Sequence, residues 1–420
     1  MLNVIYDASV VTNIFYKDSN RSGIFFVAFN ILNELSKRKD VNLYLYFSPE
    51  TFADGAELKR VYYPECDCIQ NLTKYAFLRK VFRKIRALYA AHSSQTVLKY
   101  FFAVPLAFCI AVFSMTNRSD RRKIENCDVF FSPFFKIPKF VRKFQSVKPF
   151  VMIYDLIPLI FPDYYRGRKP FVSIVMENSK AGDSFFFDSI CAKNDALKFF
   201  PSVVKPDSPV IPLAANDAFV PIVNEETINR IKKKYGIPEG KKYVFSLCSL
   251  EPRKNLIRAV KTFLFFLKKK HIDDIVWVMG GSAWDSFTES LKKEGLTWNS
   301  DVIIRAGYVD DEDLPALYSN AEWFVYTSQY EGFGLPPLEA MQCGCPVITS
   351  GASSLPEVVG DAGIMIDWNN DEQHVEAYER YYFDETLRKE NGRKGFERAK
   401  MFSWKKTVDL MVDSFYSRMG

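Results

Sequence analysis

The sequence predicts an α/β protein built from two doubly wound, parallel-sheet domains that face each other across a central cleft. Three observations carry this. The chain has 420 residues, too many for one ordinary core, and 48% of them are hydrophobic, enough to fill two. Short apolar runs alternate with stretches of helical periodicity through both halves, the pattern of strands joined by crossover helices. Between the halves, from Ser208 to Phe219, the run Pro-Val-Ile-Pro-Leu-Ala-Ala-Asn-Asp reads as a strand leaving one domain and a linker entering the next.

The first domain is expected over residues 1–214, with strands at 2–6, 43–47, 128–131, 149–153, 184–187 and 208–211. Met1 to Asp7 lacks the basic n-region and apolar h-region of a secretory signal, so the chain is expected in the cytoplasm. A polar loop ending at Ser22-Gly23 follows, and Ile24 to Arg38 carries apolar residues at helical spacing. Gly23, at this strand-to-helix junction, is a candidate phosphate contact. The second domain is expected over 215–397, with strands at 243–247, 275–279, 302–306, 322–327 and 346–349. Phe402-Ser403-Trp404 opens a last helix within 398–420, with Ser403 as its N-cap.

Residues 70–123 stand apart. They hold eleven Lys or Arg against one acid, Asp120, a net of +10; the whole chain carries +6, so the remainder sums to −4. Leu78 to Leu88 has the pattern of a basic amphipathic helix, which can lie on an anionic membrane surface. Tyr100 to Met115 is apolar, but it is shorter than the about 20 residues of a bilayer span and contains Pro105. Two readings stand side by side: an element dipping into the inner face of the cytoplasmic membrane, and a solvated basic face followed by a buried helix. The stretch lacks a recognisable RNA or DNA module, so no nucleic-acid partner is expected.

Composition also excludes chemistries. Of eight cysteines the only close pairs, Cys66 with Cys68 and Cys343 with Cys345, are one residue apart, which is not a zinc-site spacing, and the thiols read as reduced and mostly buried. Only His92, His271 and His374 offer imidazoles, and none lies in a catalytic motif. A histidine base or a histidine-rich metal site is therefore not expected.

Two stretches carry the candidate chemistry. In Glu331-Gly332-Phe333-Gly334-Leu335-Pro336-Pro337-Leu338-Glu339, a loop after an aromatic-rich strand feeds a helix that Gly344 and Pro346 stop. Glycines on both sides of Phe333 allow close backbone approach, and the helix start favours an anion such as a diphosphate. Glu331 and Glu339, with seven residues between them, bracket whatever the loop cradles: Glu339 can accept from a ribose and Glu331 from a sugar at the other end. The plain alternative is a Gly/Pro turn with a Glu near a helix start. In Cys248-Ser249-Leu250-Glu251-Pro252-Arg253-Lys254-Asn255, two cations stand beside a helix N-terminus, where they oppose its dipole unless an anion such as diphosphate neutralises them.

Together, Glu251-Pro252-Arg253-Lys254-Asn255, Glu331-x7-Glu339, Gly344-x-Pro346-Val347-Ile348 and the run Ser354 to Ala362 resemble the family 4 retaining glycosyltransferases of the GT-B fold, densely from about residue 240 to 370 and thinly over the first half. The resemblance implies two Rossmann-like domains, a nucleotide-diphosphate sugar held mainly by the second, and a final helix crossing back to the first. By position it puts Arg253 and Lys254 on the diphosphate and Glu339 on the ribose. It puts Glu331, beside Gly332 and with the amides of Phe333, Gly334 and Leu335, on the donor sugar. Gly23 would close on the phosphates, and Gly307-Tyr308-Val309 would wall the base pocket. No metal or other cofactor is expected: Asp310-Asp311-Glu312-Asp313 reads as a helix N-terminus instead of a cation site.

For mechanism, the resemblance implies front-face attack, with the leaving phosphate oxygen taking the acceptor's proton, which suits a histidine-poor chain. Arg253 and Lys254 would stabilise the departing diphosphate, and Glu331 would ease charge at the anomeric carbon. One departure stands out. Where the family has His-Asp at the end of a first-domain strand, this chain has Tyr154-Asp155, so Tyr154 takes the histidine's place at the reacting centre and Asp155 remains. One reading of Tyr154 is altered donor choice, such as a deoxy sugar; another is a site that binds without turnover. The expected function is transfer of a hexose or deoxyhexose onto a glycan or lipid-linked glycan acceptor in bacterial surface-polysaccharide synthesis, O-antigen or capsule. Its rivals are a GT-B nucleotide-sugar epimerase, a sugar phosphorylase and a catalytically silent nucleotide-sugar binding module.

Overall fold

In the computed structural model, residues 1–16, 23–72, 76–91, 96–116, 119–165, 169–282, 284–296 and 301–419 are described. Residues 17–22 of the polar loop that ends at Ser22, and His92, lie outside these residues.

The first sheet contains β1 (Leu2–Asp7), β2 (Val41–Tyr46), β3 (Asp67–Cys68), β4 (Val129–Ser132), β5 (Lys148–Ile153) and β6 (Ser184–Phe187), in the spatial order β3-β2-β1-β4-β5-β6. The second contains β7 (Lys242–Leu247), β8 (Ile275–Gly280), β9 (Ile303–Gly307), β10 (Trp323–Tyr326), β11 (Val347–Ser350) and β12 (Ile364–Ile366), in the order β12-β11-β10-β7-β8-β9. All ladders within the two sheets are parallel. Counted from its own first strand, each half runs 3-2-1-4-5-6, the doubly wound order in which the chain reverses direction between first and fourth strands and opens a crevice at their carboxyl ends. In the second sheet those strands are β7 and β10. The loops leaving them hold Glu251 to Asn255 and Glu331 to Gly334, so the topology brings together two motifs that lie far apart in sequence.

Strands β4, β6, β8, β10 and β11 are buried along their whole length, as parallel strands covered by helices on both faces must be. The expected strand at 208–211 is instead an extended segment with one bridge, Val210 to Phe187. Pro209 and Pro212 flank it and cannot donate to a ladder, which explains the loss. β3 and β12, of two and three residues, were too short to show a period.

In the first domain, α1 (Gly23–Ser36) follows β1, and α2 (Phe52–Tyr62) follows β2. Two further helices, α3 (Ala76–Ala91) and α4 (Thr96–Thr116), pack on α2 around a small core of their own, made by Phe52, Ala53, Phe82, Leu106, Cys109 and Phe113. The last helix, Trp404–Ser417, starts at Ser403, whose hydroxyl accepts from the Lys406 amide at 3.2 Å. It returns to the first domain, where Phe415 packs against Phe131, Phe150 and Phe186, and Asp409 pairs with Arg38. All eight cysteines are free thiols. No helix among the described residues is long and apolar enough to cross a membrane.

Candidate active site

The loop after β7 aims the first two charges. Pro252, with its fixed φ, opens a single 3-10 turn that runs to Lys254. Asn255 then takes the left-handed conformation (φ 58°), which asparagine tolerates better than most residues, and its side-chain amide donates to the carbonyls of Thr327 (3.2 Å) and Trp368 (2.7 Å). The Gln329 amide donates to the Arg253 carbonyl at 2.9 Å, tying this turn to the loop after β10.

Held in this way, both cations are buried and both meet Glu331: Lys254 Nζ lies 2.6 Å from Oε1, and Arg253 Nη1 lies 3.2 Å from Oε2. Lys254 also donates to the Tyr326 hydroxyl at 2.8 Å, and Arg253 to the Tyr330 carbonyl. Burial by itself raises the Glu331 carboxyl, but Lys254 and then Arg253 outweigh it and hold the group below the usual carboxylate range. A second carboxylate, the half-exposed Glu251, lies 3.9 Å from Arg253 Nη2, a longer and more solvated pair. Arg253 Nε has no partner, so the cluster is built to receive another anion.

The loop carrying Glu331 is pinned from β11's side. The Glu331 amide donates to Ser353 Oγ (2.8 Å), and Ser354 Oγ lies within hydrogen-bond reach of the Phe333 (2.6 Å) and Glu331 (3.0 Å) carbonyls. Gly334 has φ 127°, and a Cβ there would also sit 2.9 Å from Leu355, so only glycine fits. The helix Leu335–Gln342 then begins with Pro336 and Pro337 in its first turn. Neither carries an N–H, which leaves Leu335 and the residues before it to supply donors at the helix start. Gly344, at φ 76°, follows the helix end. Further along that helix, Glu339 accepts from the buried Tyr318 hydroxyl at 3.0 Å, and burial pushes its carboxyl up to about 7.

Across the cleft, Tyr154-Asp155 directly follows β5 and Asp188 directly follows β6. Asp155 accepts from the Ile157 amide at 2.9 Å, and burial raises its carboxyl. The Tyr154 hydroxyl and Asp188 Oδ1 are buried without a partner. Burial, then the neighbouring Asp155, raises the Asp188 carboxyl well above the ordinary value.

The two domains are closed on each other here. Ser189 Oγ donates to the Gly332 carbonyl at 2.6 Å, and a Cβ on Gly332 would come within 2.4 Å of the Tyr154 carbonyl oxygen. Glu357, from the second domain, accepts from the Ile190 (2.7 Å) and Cys191 (2.9 Å) amides, capping a first-domain helix with a carboxylate. The Tyr330 hydroxyl donates to Asp195 across the same boundary.

Two adjoining cavities run along this boundary, and a third opens beside them within the first domain. One of about 240 Å³ gathers Gly23, Tyr154, Asp155, Asp188, Arg253, Glu331, Gly332, Phe333, Gly334 and Leu335. A second, of about 230 Å³, shares Gly23 and Leu335 and adds Glu339, Asn30, Asp311 and Trp404. A third, of about 170 Å³, shares Tyr154 and Asp155 and is walled by Phe134 and Phe171, whose rings stack at 4.4 Å.

Lys254 stands behind Glu331, off the cavity walls. Tyr308 and Val309 line none of the three cavities: Gly307 turns the chain at φ 68°, leaving Tyr308 78% exposed and sending Val309 into the core. Sequence reasoning missed Asp188, Ser353, Tyr318 and the capping role of Glu357. The one available signal was an acid placed directly after the aromatic strand Phe185-Phe186-Phe187.

Residues 227–398, in the second half, match the family described as "Glycosyl transferases group 1". Over 212 residues the chain is 34% identical to the O-antigen chain mannosyltransferase B of Escherichia coli, covering 48% of this chain and 52% of that one. Over 276 residues it is 29% identical to the serotype-specific mannosyltransferase WbdA of Escherichia coli, covering 64% of this chain and 33% of that one. The chain thus spans about half and about a third of the length of these relatives. Among solved structures, Anabaena Alr3699/HepE in complex with UDP and glucose superposes with a TM-score of 0.64 at 13% identity, over 99% of this chain and 100% of that one. The architecture is the two-domain, Rossmann-like GT-B fold.

Proposed function

We propose that this chain, with a glycosyltransferase group 1 domain set in a GT-B fold, is a retaining, metal-independent transferase that moves a hexose from a nucleotide-diphosphate sugar onto a glycan in surface-polysaccharide synthesis. Mannose is the hexose favoured by the names of its relatives. The observation that carries the reading is the buried Arg253–Glu331–Lys254 cluster, in which Arg253 Nε has no partner, opposite two further unpartnered polar groups, Tyr154 OH and Asp188 Oδ1.

In this reading the nucleoside occupies the Glu339 cavity, where the carboxylate accepts from ribose hydroxyls. The diphosphate and transferred sugar occupy the central cavity, and the acceptor sugar lies in the third, against Phe134 and Phe171. As the bond from the anomeric carbon to the phosphate oxygen breaks, negative charge grows on the phosphate, beside cations that Glu331 already holds in place. Little reorganisation is then needed at the moment of reaction. The acceptor oxygen bonds to the anomeric carbon from the same face and passes its proton to the departing phosphate oxygen. No imidazole takes part. Tyr154 and Asp188 gain partners in the hydroxyls of the bound sugar, which offsets the cost of burying them alone.

The test is a thermal-shift screen against UDP, GDP, CDP and ADP sugars without added metal, followed by a transfer assay in which NMR reads the anomeric configuration. One sugar nucleotide is expected to stabilise the protein by about 2.7 kcal/mol at a hundredfold excess over Kd. Its sugar should then reach the acceptor with the donor's configuration kept. No shift with any of the four would remove the donor assignment, and an inverted product would remove the front-face mechanism.

A further inference from the structure

The hairpin of α3 and α4 plays no part in the site described above, and its surface is unlike the rest of the chain. Both helices bury one face in the Phe52–Phe113 core and turn the other away from the domain. The hairpin is fixed there by a buried ion cluster: Asp54, fully buried on α2, meets Arg83 at 3.3 Å and Arg86 at 2.7 Å, and accepts from Tyr16 OH at 3.0 Å. What faces outward is therefore presented by a braced element.

On α4 an apolar stripe runs along the outward face from Phe101 to Met115. Phe101, Val104, Phe108 and Met115 are 71%, 72%, 67% and 68% exposed, and their spacing of three, four and seven residues keeps them in one stripe. Ala107 and Ala111 lie exposed between them. Single exposed hydrophobic residues are ordinary, but a continuous stripe of this kind marks a surface that something covers. On α3 the outward face pairs Phe77, 80% exposed, with the exposed Lys80 and Lys84, and beyond α4 come the exposed Arg121 and Arg122. Residues 76–116 contain no acid.

We propose that the outward faces of α3 and α4 dock on an anionic lipid bilayer, with the α4 stripe entering the acyl boundary and the lysines and arginines meeting lipid phosphates. Charge decides the occupant. A second copy of this chain would set the same cations against each other, whereas a phosphate-rich surface complements them and its acyl layer accepts the aromatic side chains. The helix lies along the membrane and does not cross it, since no described helix is long and apolar enough to span. The surface stands apart from the transfer reading, so either can fail without the other.

The full chain is to be sedimented with vesicles of phosphatidylcholine alone and of phosphatidylcholine with phosphatidylglycerol. Binding is expected only where phosphatidylglycerol is present, and it should weaken as salt rises. Phe101→Ser with Phe108→Ser, and separately Lys80→Glu with Lys84→Glu, should each reduce partitioning roughly tenfold or more while leaving thermal unfolding unchanged. Failure to bind either vesicle would overturn the proposal, as would equal binding by wild type and both double variants. A dimer in light scattering that the Phe101→Ser, Phe108→Ser variant turns into monomer would also overturn it, by naming a second copy as the occupant.

Discussion

The two walls of the cleft solve the problem of buried polarity in opposite ways. The second-domain wall pairs its charges internally, Lys254 and Arg253 on Glu331. The first-domain wall leaves Tyr154 OH and Asp188 Oδ1 without partners, and burial raises the Asp188 carboxyl. A paired cluster is rigid before any ligand arrives, at the cost of being fragile when one member is removed. An unpaired group strains the empty protein and gains its partner only when the site fills. Substitutions on the two walls should therefore separate stability from turnover with opposite signs.

The largest effect is expected from Lys254→Met, which keeps the packing stem but leaves Glu331 buried with Arg253 alone. Breaking a buried pair costs about 3–5 kcal/mol, so thermal unfolding should move down by many degrees and transfer should fall by roughly a thousandfold or more. Unchanged stability would mean that the cluster is open to water, and the contrast between the walls would go. Next comes Gly332→Ala, at the point where the walls touch. The added Cβ must push the Tyr154 carbonyl from 2.4 Å to ordinary contact, opening the cleft by about 1 Å, a misplacement that typically costs about a hundredfold in turnover. The groups that bind nucleotide stay in place, so donor affinity should change far less than kcat; equal losses in both would show that closure is not what the glycine serves.

A smaller effect follows from pH. Burial, with a smaller push from Asp311 and against a hydrogen bond from Tyr318, lifts the Glu339 carboxyl to about 7, above its unfolded value. A raised carboxyl stabilises the fold fully only below the unfolded pKa, and that contribution is lost as pH rises through about 7. Donor binding has the opposite sign, because the ionised form is the better acceptor for ribose hydroxyls. Affinity for the sugar nucleotide should rise up to about tenfold between pH 6 and pH 8, with proton uptake by buffer visible in calorimetry at the lower pH. Glu339→Gln should flatten that slope; a slope that survives the substitution must come from another group.

Much of the second wall was legible in the sequence because its chemistry is local. Pro252 and Asn255 shape a turn whose effect is on the two residues between them, and Gly334 with Pro336 shapes a helix start in the same way. The sequence also implied which strands these loops leave, and doubly wound order then joins them. The first wall was not legible beyond Tyr154-Asp155. Asp188 matters through its place opposite Arg253 and Glu331, and Ser353, Tyr318 and Glu357 act on atoms 22, 21 and 166 or more residues away along the chain. No local pattern encodes contacts of that kind. Val210 and its flanking prolines show the converse, an apolar run whose neighbours forbid the ladder that its pattern suggests.

The smallest expected effect on stability is also the sharpest test of the contrast. Tyr154→Phe removes only a hydroxyl that is buried without a partner, so the empty protein should be unchanged or more stable by up to about 1 kcal/mol. If that hydroxyl meets a hydroxyl of the transferred sugar, the same change should lower kcat/KM by roughly tenfold with the preferred donor and by much less with the donor lacking that hydroxyl. Asp188→Asn supplies the control. Asparagine keeps a hydrogen-bonding group of the same shape at the site, so it should preserve turnover within a few fold and remove any contribution from Asp188 ionisation to the rate profile. A Tyr154→Phe protein that loses stability, or turns over both donors equally, would show that the hydroxyl has a partner in the empty state and that the two walls are built alike.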